Sequence, residues 1–349
     1  MTTPSAALSG RRAGSRSRTR SRRLLLLGGT LAAGAAAGAA YRRHATNGAT
    51  TWSLASEADD GPLSLGWGDL VTTRPVHRTV RTPDGAQLAV WDLEGDGPDA
   101  PVVVLPHCWG GSHEIWVPVA RRLREQGHRV VLYDQRGHGT SSRGTAPLAV
   151  DTLGHDLSAV LEATDVRDAV LAGHSMGGMT IMSLATYRPE VLRDRAKATV
   201  LVATAATNVG DRALPGAQFA AAMIASPLVT RALRTRNGHI FVRGAFGTTP
   251  VRSHMDLTRE LFAGCHGTVR GDFLVSLATM DLLGGIATME VPTTVIVGTR
   301  DTLTVPKKAD QIVSTIPGAR LVTLKDRGHM LPLEDPDAVT DEIVRAAEG

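Results

Sequence analysis

Two rhythms of hydrophobic and polar positions run along this chain. Short apolar runs recur at residues 102–105 (Val-Val-Val-Leu), 129–133 and 169–172 (Ala-Val-Leu-Ala), and 198–203, 293–297 and 320–324 read as further strands. Runs this short and partly β-branched predict strands buried on both faces of a parallel sheet. Between them, apolar residues at helical spacing predict helices over 113–125 (Trp116, Val119 and Leu123 near one face), 153–163, 179–187 and 306–316. A last helix is predicted from Pro336, with Asp335 as its cap. Residues 76–81 and 87–93 alternate about Pro83-Asp84-Gly85 and predict a hairpin. Strands alternating with helices predict an α/β fold whose mainly parallel sheet is covered on both faces.

Residues 206–285 break the rhythm. Helical stretches near 216–224, 256–265 and 272–283 intervene between two strands, and the insertion is too long for a plain connection. It reads as a helical cap over the strand ends. Its Phe219, Met223, Ile224, Leu261 and Phe262 offer apolar surface, either to a substrate or for packing the cap onto the domain.

Composition separates the N-terminus from the rest. Residues 1–43 hold nine arginines and no acid; removing those nine from 38 basic residues leaves 29 against 34 acids. The remainder is therefore mildly acidic, with no basic stripe of the kind that binds nucleic acid. Residues 1–23 are rich in Ser, Arg, Gly and Thr and read as disordered. An uncharged Ala/Gly-rich run at 24–40 follows, closed by Arg42 and Arg43. Ser21-Arg22-Arg23-Leu24-Leu25 resembles a twin-arginine export signal, with a cleavage site near Ala37 or Ala39. An uncleaved signal anchor is the alternative, because the run is just long enough to cross the hydrocarbon and the arginines before it keep the N-terminus cytoplasmic. A low-complexity leader with no membrane role is the third reading. Membrane targeting is favoured. It puts the catalytic domain on the extracytoplasmic side of the cell membrane or, after cleavage, has it secreted. The expected organisation is a leader with signal or anchor over 1–43, a linker over 44–74 and one domain over 75–349. Two cysteines, Cys108 and Cys265, exclude a disulfide framework and a cysteine zinc site.

The candidate chemistry centres on Gly173-His174-Ser175-Met176-Gly177-Gly178, between a predicted strand and a predicted helix. Strand, Gly-x-Ser-x-Gly, helix is the nucleophile-elbow pattern, in which a serine at a strained turn needs small neighbours two positions away. A serine hydroxyl needs a base to take its proton and a carboxylate to orient that base. Asp301 ends the loop after the 293–297 strand, and His329 ends the loop after the 320–324 strand. All three candidates follow strand C-termini, the edge where open α/β sheets place their sites. His107 and His138 are weaker alternatives as base, and Asp134 and Asp281 as acid. Acyl transfer also needs donors for the oxyanion. These are assigned to the backbone N–H of Met176 and of Trp109, in the loop His107-Cys108-Trp109-Gly110-Gly111-Ser112.

With these residues in view, the chain from about Val76 onward resembles the α/β-hydrolase superfamily. The motifs are the His107 loop, Asp134-Gln135-Arg136-Gly137-His138-Gly139-Thr140-Ser141, the Ser175 elbow, Gly298-Thr299-Arg300-Asp301, and Gly328-His329 followed by Glu334-Asp335-Pro336. The resemblance implies an eight-stranded, mostly parallel sheet with helices on both faces, a Ser175–His329–Asp301 triad, and a cap inserted after the sixth strand. It also implies a structural role for the Asp134–Ser141 stretch. One departure stands out. The family's usual His-Gly pair is His107-Cys108 here, and a glycine allows backbone shapes that cysteine adopts only at a cost. Ser175 excludes the displacement chemistry of relatives that carry aspartate at the elbow. What remains is acyl transfer needing no metal or organic cofactor, and the elbow resembles those of monoacylglycerol lipases and small carboxylesterases. The leading expectation is hydrolysis of small-molecule esters with a hydrophobic acyl group. Cofactor-free perhydrolysis or carbon–carbon bond hydrolysis with the same triad is the alternative, and a non-catalytic, membrane-tethered ligand-binding scaffold is the alternative of another class.

Overall fold

A computed structural model describes residues 76–209, 216–235 and 237–349. The leader expected over 1–43 and the linker over 44–74 lie outside the described residues. The apolar runs become β3 (Val102–Pro106), β4 (Arg129–Tyr133), β5 (Ala169–His174), β6 (Ala196–Val202), β7 (Thr293–Gly298) and β8 (Arg320–Leu324), joined by the hairpin β1 (Val76–Arg81) and β2 (Gln87–Leu93). They form one eight-stranded sheet in the order β1-β2-β4-β3-β5-β6-β7-β8. β2 runs antiparallel to both neighbours, and every other pairing is parallel. This is the mostly parallel sheet that the resemblance implied.

The sheet's two faces explain why its central strands are so apolar, whereas the edge strand β8 stays partly exposed. Val104, Leu171, Leu201 and Val295 enter one core, whereas Val103, Val170, Val200 and Ile296 enter the other. Each such side chain, fully buried, contributes about 1.5–3 kcal/mol. The first face is covered by α2 (Val150–Ala163), α3 (Met176–Tyr187) and α11 (Pro306–Thr315), and the second by α1 (Val117–Glu125), the short α12 (Leu331–Glu334) and α13 (Pro336–Glu348). The helix predicted over 113–125 opens as a 3₁₀ turn, His113–Trp116, which the Ser112 side chain caps by accepting from Glu114 N. Asp335 caps α13 by accepting from Ala338 N, with Pro336 in its first turn. The short helix α4 (Pro189–Arg195), unforeseen in the pattern, links α3 to β6.

The insertion is helical. It comprises α5 (Ala217–Ala225), α6 (Pro227–Leu233), α7 (His239–Val242), α8 (Arg252–Gly264) and α9 (Gly267–Thr279), after which α10 (Leu283–Ile286) leads back to β7. The helix predicted over 272–283 thus stops early. At Met280 the backbone is extended, and the chain pairs Asp281 with Thr207 in an isolated bridge. Asn208 N donates to Met280 O over 2.9 Å, and Leu282 N to Ala206 O over 2.8 Å. Inside the cap the buried Arg270 donates to Thr230 Oγ1 on α6 and to the carbonyls of Ile224 on α5 and Phe262 on α8. One guanidinium on α9 so ties three other cap helices.

Candidate active site

Ser175 stands between β5 and α3 with φ 55° and ψ −115°, a conformation that L residues rarely adopt. Such strain persists only where the surroundings over-determine it. Here Ser175 N donates to Val202 O over 2.8 Å, and Thr204 Oγ1 donates to Ser175 O over 2.7 Å. The flanking glycines permit the turn. A Cβ on Gly173 would lie 2.4 Å from the Gly177 backbone, and one on Gly177 would lie 2.0 Å from Pro106 O.

Residues far apart in sequence meet at this serine. Ser175 Oγ donates to His329 Nε2 over 2.9 Å, and His329 Nδ1 donates to Asp301 Oδ2 over 2.9 Å. All three side chains are buried. The second carboxylate oxygen, Asp301 Oδ1, accepts from Leu303 N at 2.8 Å and Thr304 N at 2.9 Å, while Thr304 Oγ1 donates to Oδ2 at 2.8 Å. Burial works to raise the Asp301 carboxyl. The adjacent His329 and these hydrogen bonds outweigh it and hold the group below the usual carboxylate range. The arrangement can move a proton from a serine hydroxyl to an imidazole whose developing charge faces a fixed carboxylate.

The weaker candidates lie elsewhere. His107 donates from Nδ1 to Cys108 O over 2.8 Å and accepts Gln135 N at Nε2 over 2.9 Å. His138 donates from Nδ1 to Arg136 O and accepts Gly110 N, each over 3.0 Å. Burial holds both neutral, pulling His107 down to about 4 and His138 to about 3. Asp134 accepts from both the amide and ring of His113 and from Thr140, and Asp281 sits in the cap-base bridge. Arg136, buried, joins Asp156 and Asp84. The Asp134–Ser141 stretch therefore braces the loop beside the site.

Several supporting residues carry no local sequence signal. His174 donates from Nε2 to His329 O over 2.8 Å, and His329 N donates to Ala245 O over 2.7 Å, so the elbow and the cap both hold the histidine's backbone. Glu334 gathers the amides of Gly247, Gly328 and Met330 around the same loop. Thr304 had no place in the sequence expectations; its polar side chain one turn past an expected acid was the available signal.

The His107 loop runs along the same cavity as Ser175. Cys108 is buried and lies outside the left-handed region; Gly110 carries the positive φ, 69°. The expected backbone cost of cysteine is absent. Burial pushes its thiol up to about 12. The Trp109 ring packs edge-on against Phe262 at 5.1 Å, and its Nε1 donates to Arg270 O over 3.2 Å, joining this loop to the cap.

A cavity of about 360 Å³ opens from Ser175 and His329 beneath the cap, the size of a small-ligand site. Its walls include Ile115, Met179, Ile224, Leu233, Leu261 and Phe262; among the described residues that line it, His329 is the only titratable side chain besides Cys108. Ile224, Leu261 and Phe262 thus face the cavity, the first of the two roles left open for them. Phe219 and Met223 do not: they are 67% and 52% exposed, on the outer side of α5.

Residues 102–342 match the sequence profile of the alpha/beta hydrolase family. The chain is 27% identical to 3-oxoadipate enol-lactonase 2 of Acinetobacter baylyi over 247 residues, 69% of this chain and 86% of that protein. Over 101 residues it is 39% identical to a non-heme chloroperoxidase of Streptomyces lividans, covering 29% of this chain and 36% of that one. The crystal structure of a putative aryl esterase from Burkholderia cenocepacia superposes with a TM-score of 0.65 at 28% identity, over 78% of this chain and 99% of the other.

Proposed function

We propose that this chain, which belongs to the alpha/beta hydrolase family, cleaves uncharged carboxylic esters with a hydrophobic acyl group through an acyl-enzyme on Ser175. The observation that carries this reading is the hydrogen-bonded line Ser175–His329–Asp301 opening into an apolar cavity. Ser175 Oγ attacks the carbonyl carbon as His329 Nε2 takes its proton. The backbone N–H groups of Met176 and Trp109 receive the oxyanion, and His329 protonates the departing alcohol. His329 then draws a proton from water, which attacks the acyl carbon and releases the acid. The apolar walls favour a neutral acyl group, since a charged one would be buried without a partner among the described residues.

The decisive measurement is hydrolysis of p-nitrophenyl esters of two to sixteen carbons by the full chain beside Ser175→Ala. Turnover should fall by about three orders of magnitude or more in the variant, with an unchanged melting temperature. Retained turnover would remove the serine mechanism. The chain-length optimum distinguishes an esterase from a lipase.

The similarity to a stretch of a non-heme chloroperoxidase favours one second reading, perhydrolysis of an organic acid on the same three residues. Turnover of a carboxylic acid that requires hydrogen peroxide tests it. The extracytoplasmic location rests on the arginine-flanked apolar run at 24–40; among the described residues no helix is long and apolar enough to cross a membrane. Cell fractionation with protease protection tests that placement.

A further inference from the structure

Exposed hydrophobic side chains are ordinarily scattered singly over a protein surface. Here they gather on three consecutive cap helices. Phe219 and Met223 on α5, Leu228 on α6, and Ile240 and Phe241 on α7 are 67, 52, 76, 56 and 63% exposed. Outside the cap, the described residues add only Tyr187 and Leu303, and Leu303 lies two residues from Asp301. The inward sides of the same helices line the cavity through Ile224, Val229, Leu233 and Val242. Phe241 and Leu303 do both, lining the cavity while remaining exposed, so they form its rim. Exposed apolar side chains therefore reach the mouth of the site at Phe241 and Leu303.

Charge supplies an independent observation. Residues 217–255 contain five arginines and no acid, whereas the rest of the chain from 44 onward has 24 basic residues against 34 acids. Arg231, Arg234 and Arg252 are exposed, and Arg231 stands one turn from Leu228 on α6. Arg252 pairs with Asp256 at 2.9 Å. Basic, apolar helices α5–α7 on an otherwise acidic domain match a surface offering negative headgroups over hydrocarbon.

We propose that the outer face of α5–α7 docks on an anionic lipid bilayer. Phe219, Met223, Leu228 and Ile240 enter the headgroup–acyl boundary, Arg231 and Arg234 meet the headgroups, and the rim at Phe241 and Leu303 faces the lipid. Apolar molecules dissolved in the bilayer then reach the cavity without crossing water. The contact belongs to the folded domain and is separate from the apolar run at 24–40.

The test is an environment-sensitive fluorophore on Leu228→Cys in the full chain, since both native cysteines are buried. A matching probe on Glu94→Cys, at the sheet edge opposite the site, is the control. Vesicles of phosphatidylcholine with about one-third phosphatidylglycerol should shift the Leu228 probe to the blue. Pure phosphatidylcholine should shift it at least tenfold less at equal lipid, and the Glu94 probe should not respond. Adding Arg231→Glu and Arg234→Glu should abolish the shift while turnover of soluble p-nitrophenyl butyrate stays within twofold. No shift, or equal shifts on the two kinds of vesicle, would overturn the proposal. So would a probe already blue-shifted without vesicles, which would mean that the patch is covered by another part of the chain, a second copy or another protein.

Discussion

The Thr304 hydroxyl donates to Asp301 Oδ2 over 2.8 Å, the same oxygen that receives His329 Nδ1. Thr304 Oγ1 also lies 3.2 Å from that ring nitrogen. The threonine thus holds the carboxylate oxygen that the imidazole uses. Thr304→Val keeps the shape and removes the donor to a charged acceptor, an interaction contributing about 1.5–3 kcal/mol. We expect kcat to fall about tenfold or somewhat more with KM nearly unchanged, and Thr304→Ser to restore most of it. An equal loss in the serine variant would mean that Thr304 acts through packing.

The elbow tolerates no side chain at Gly177. A Cβ there would lie 2.0 Å from the main-chain oxygen of Pro106, in a strand with no freedom to retreat. Gly177→Ala should therefore unfold the protein at lower temperature, by the equivalent of about 2 kcal/mol or more, or displace Ser175 and abolish turnover. Calorimetry and ester hydrolysis on the same sample read both outcomes. A variant with wild-type melting and turnover would contradict the geometry.

Three fully buried histidines around the site set an acid limit. Burial pulls His107 down to about 4, and His138 and His174 to about 3. In the unfolded chain each takes up a proton near the ordinary value of about 6.5. Because the depressed values belong to the folded state, their contribution to stability is complete above about pH 6.5. It is lost as pH falls towards the folded values. Where all three protons are bound only by the unfolded chain, stability falls by about 4 kcal/mol per pH unit. Thermal melts from pH 7.5 to 4.5 should show the midpoint dropping steeply below about pH 6. A flat curve would show that these rings are solvated.

Both thiols should be inert. Burial pushes Cys108 and Cys265 up to about 12, so neither forms thiolate at pH 8. Iodoacetamide should add no mass to the folded protein and leave ester turnover intact. Cys108→Gly, which restores the more common His-Gly pair, should keep turnover within about threefold and cost on the order of 1 kcal/mol in stability. Rapid labelling of Cys108 would mean that the loop opens.

The sheet and the meeting of Ser175, Asp301 and His329 were legible because each is announced locally. An apolar run predicts its strand, and the loop after the strand presents its last polar residue at the site edge. The boundary of α3 was less so. The pattern places its start at residue 179, but the helix begins at Met176, because the strained Ser175 is itself the residue before the first turn. Glu334, which reaches Gly247, and the Trp109 indole, which reaches Arg270 O, act across folded distances that no local spacing reveals; Thr304 is local, one turn past Asp301, but nothing in its spacing distinguishes it from an idle loop threonine. Phe219 and Met223 show the remaining limit: the sequence offers them as apolar surface for a substrate or for packing, and only the fold shows that they face outward.

The cap leaves the sheet after β6 and returns before β7 through two segments held side by side, where Thr207 faces Asp281 and Ala206 O receives Leu282 N. A piece of chain whose two ends lie together can be exchanged without disturbing what it is attached to. Substrate preference and surface targeting would then be portable as one cassette, spliced at two adjacent points, while Ser175, Asp301 and His329 stay on the sheet that carries them. Where such a graft fails, the places to repair include Ala245, whose carbonyl holds the His329 amide, Gly247, whose amide Glu334 holds, and Arg270, whose carbonyl holds the Trp109 indole.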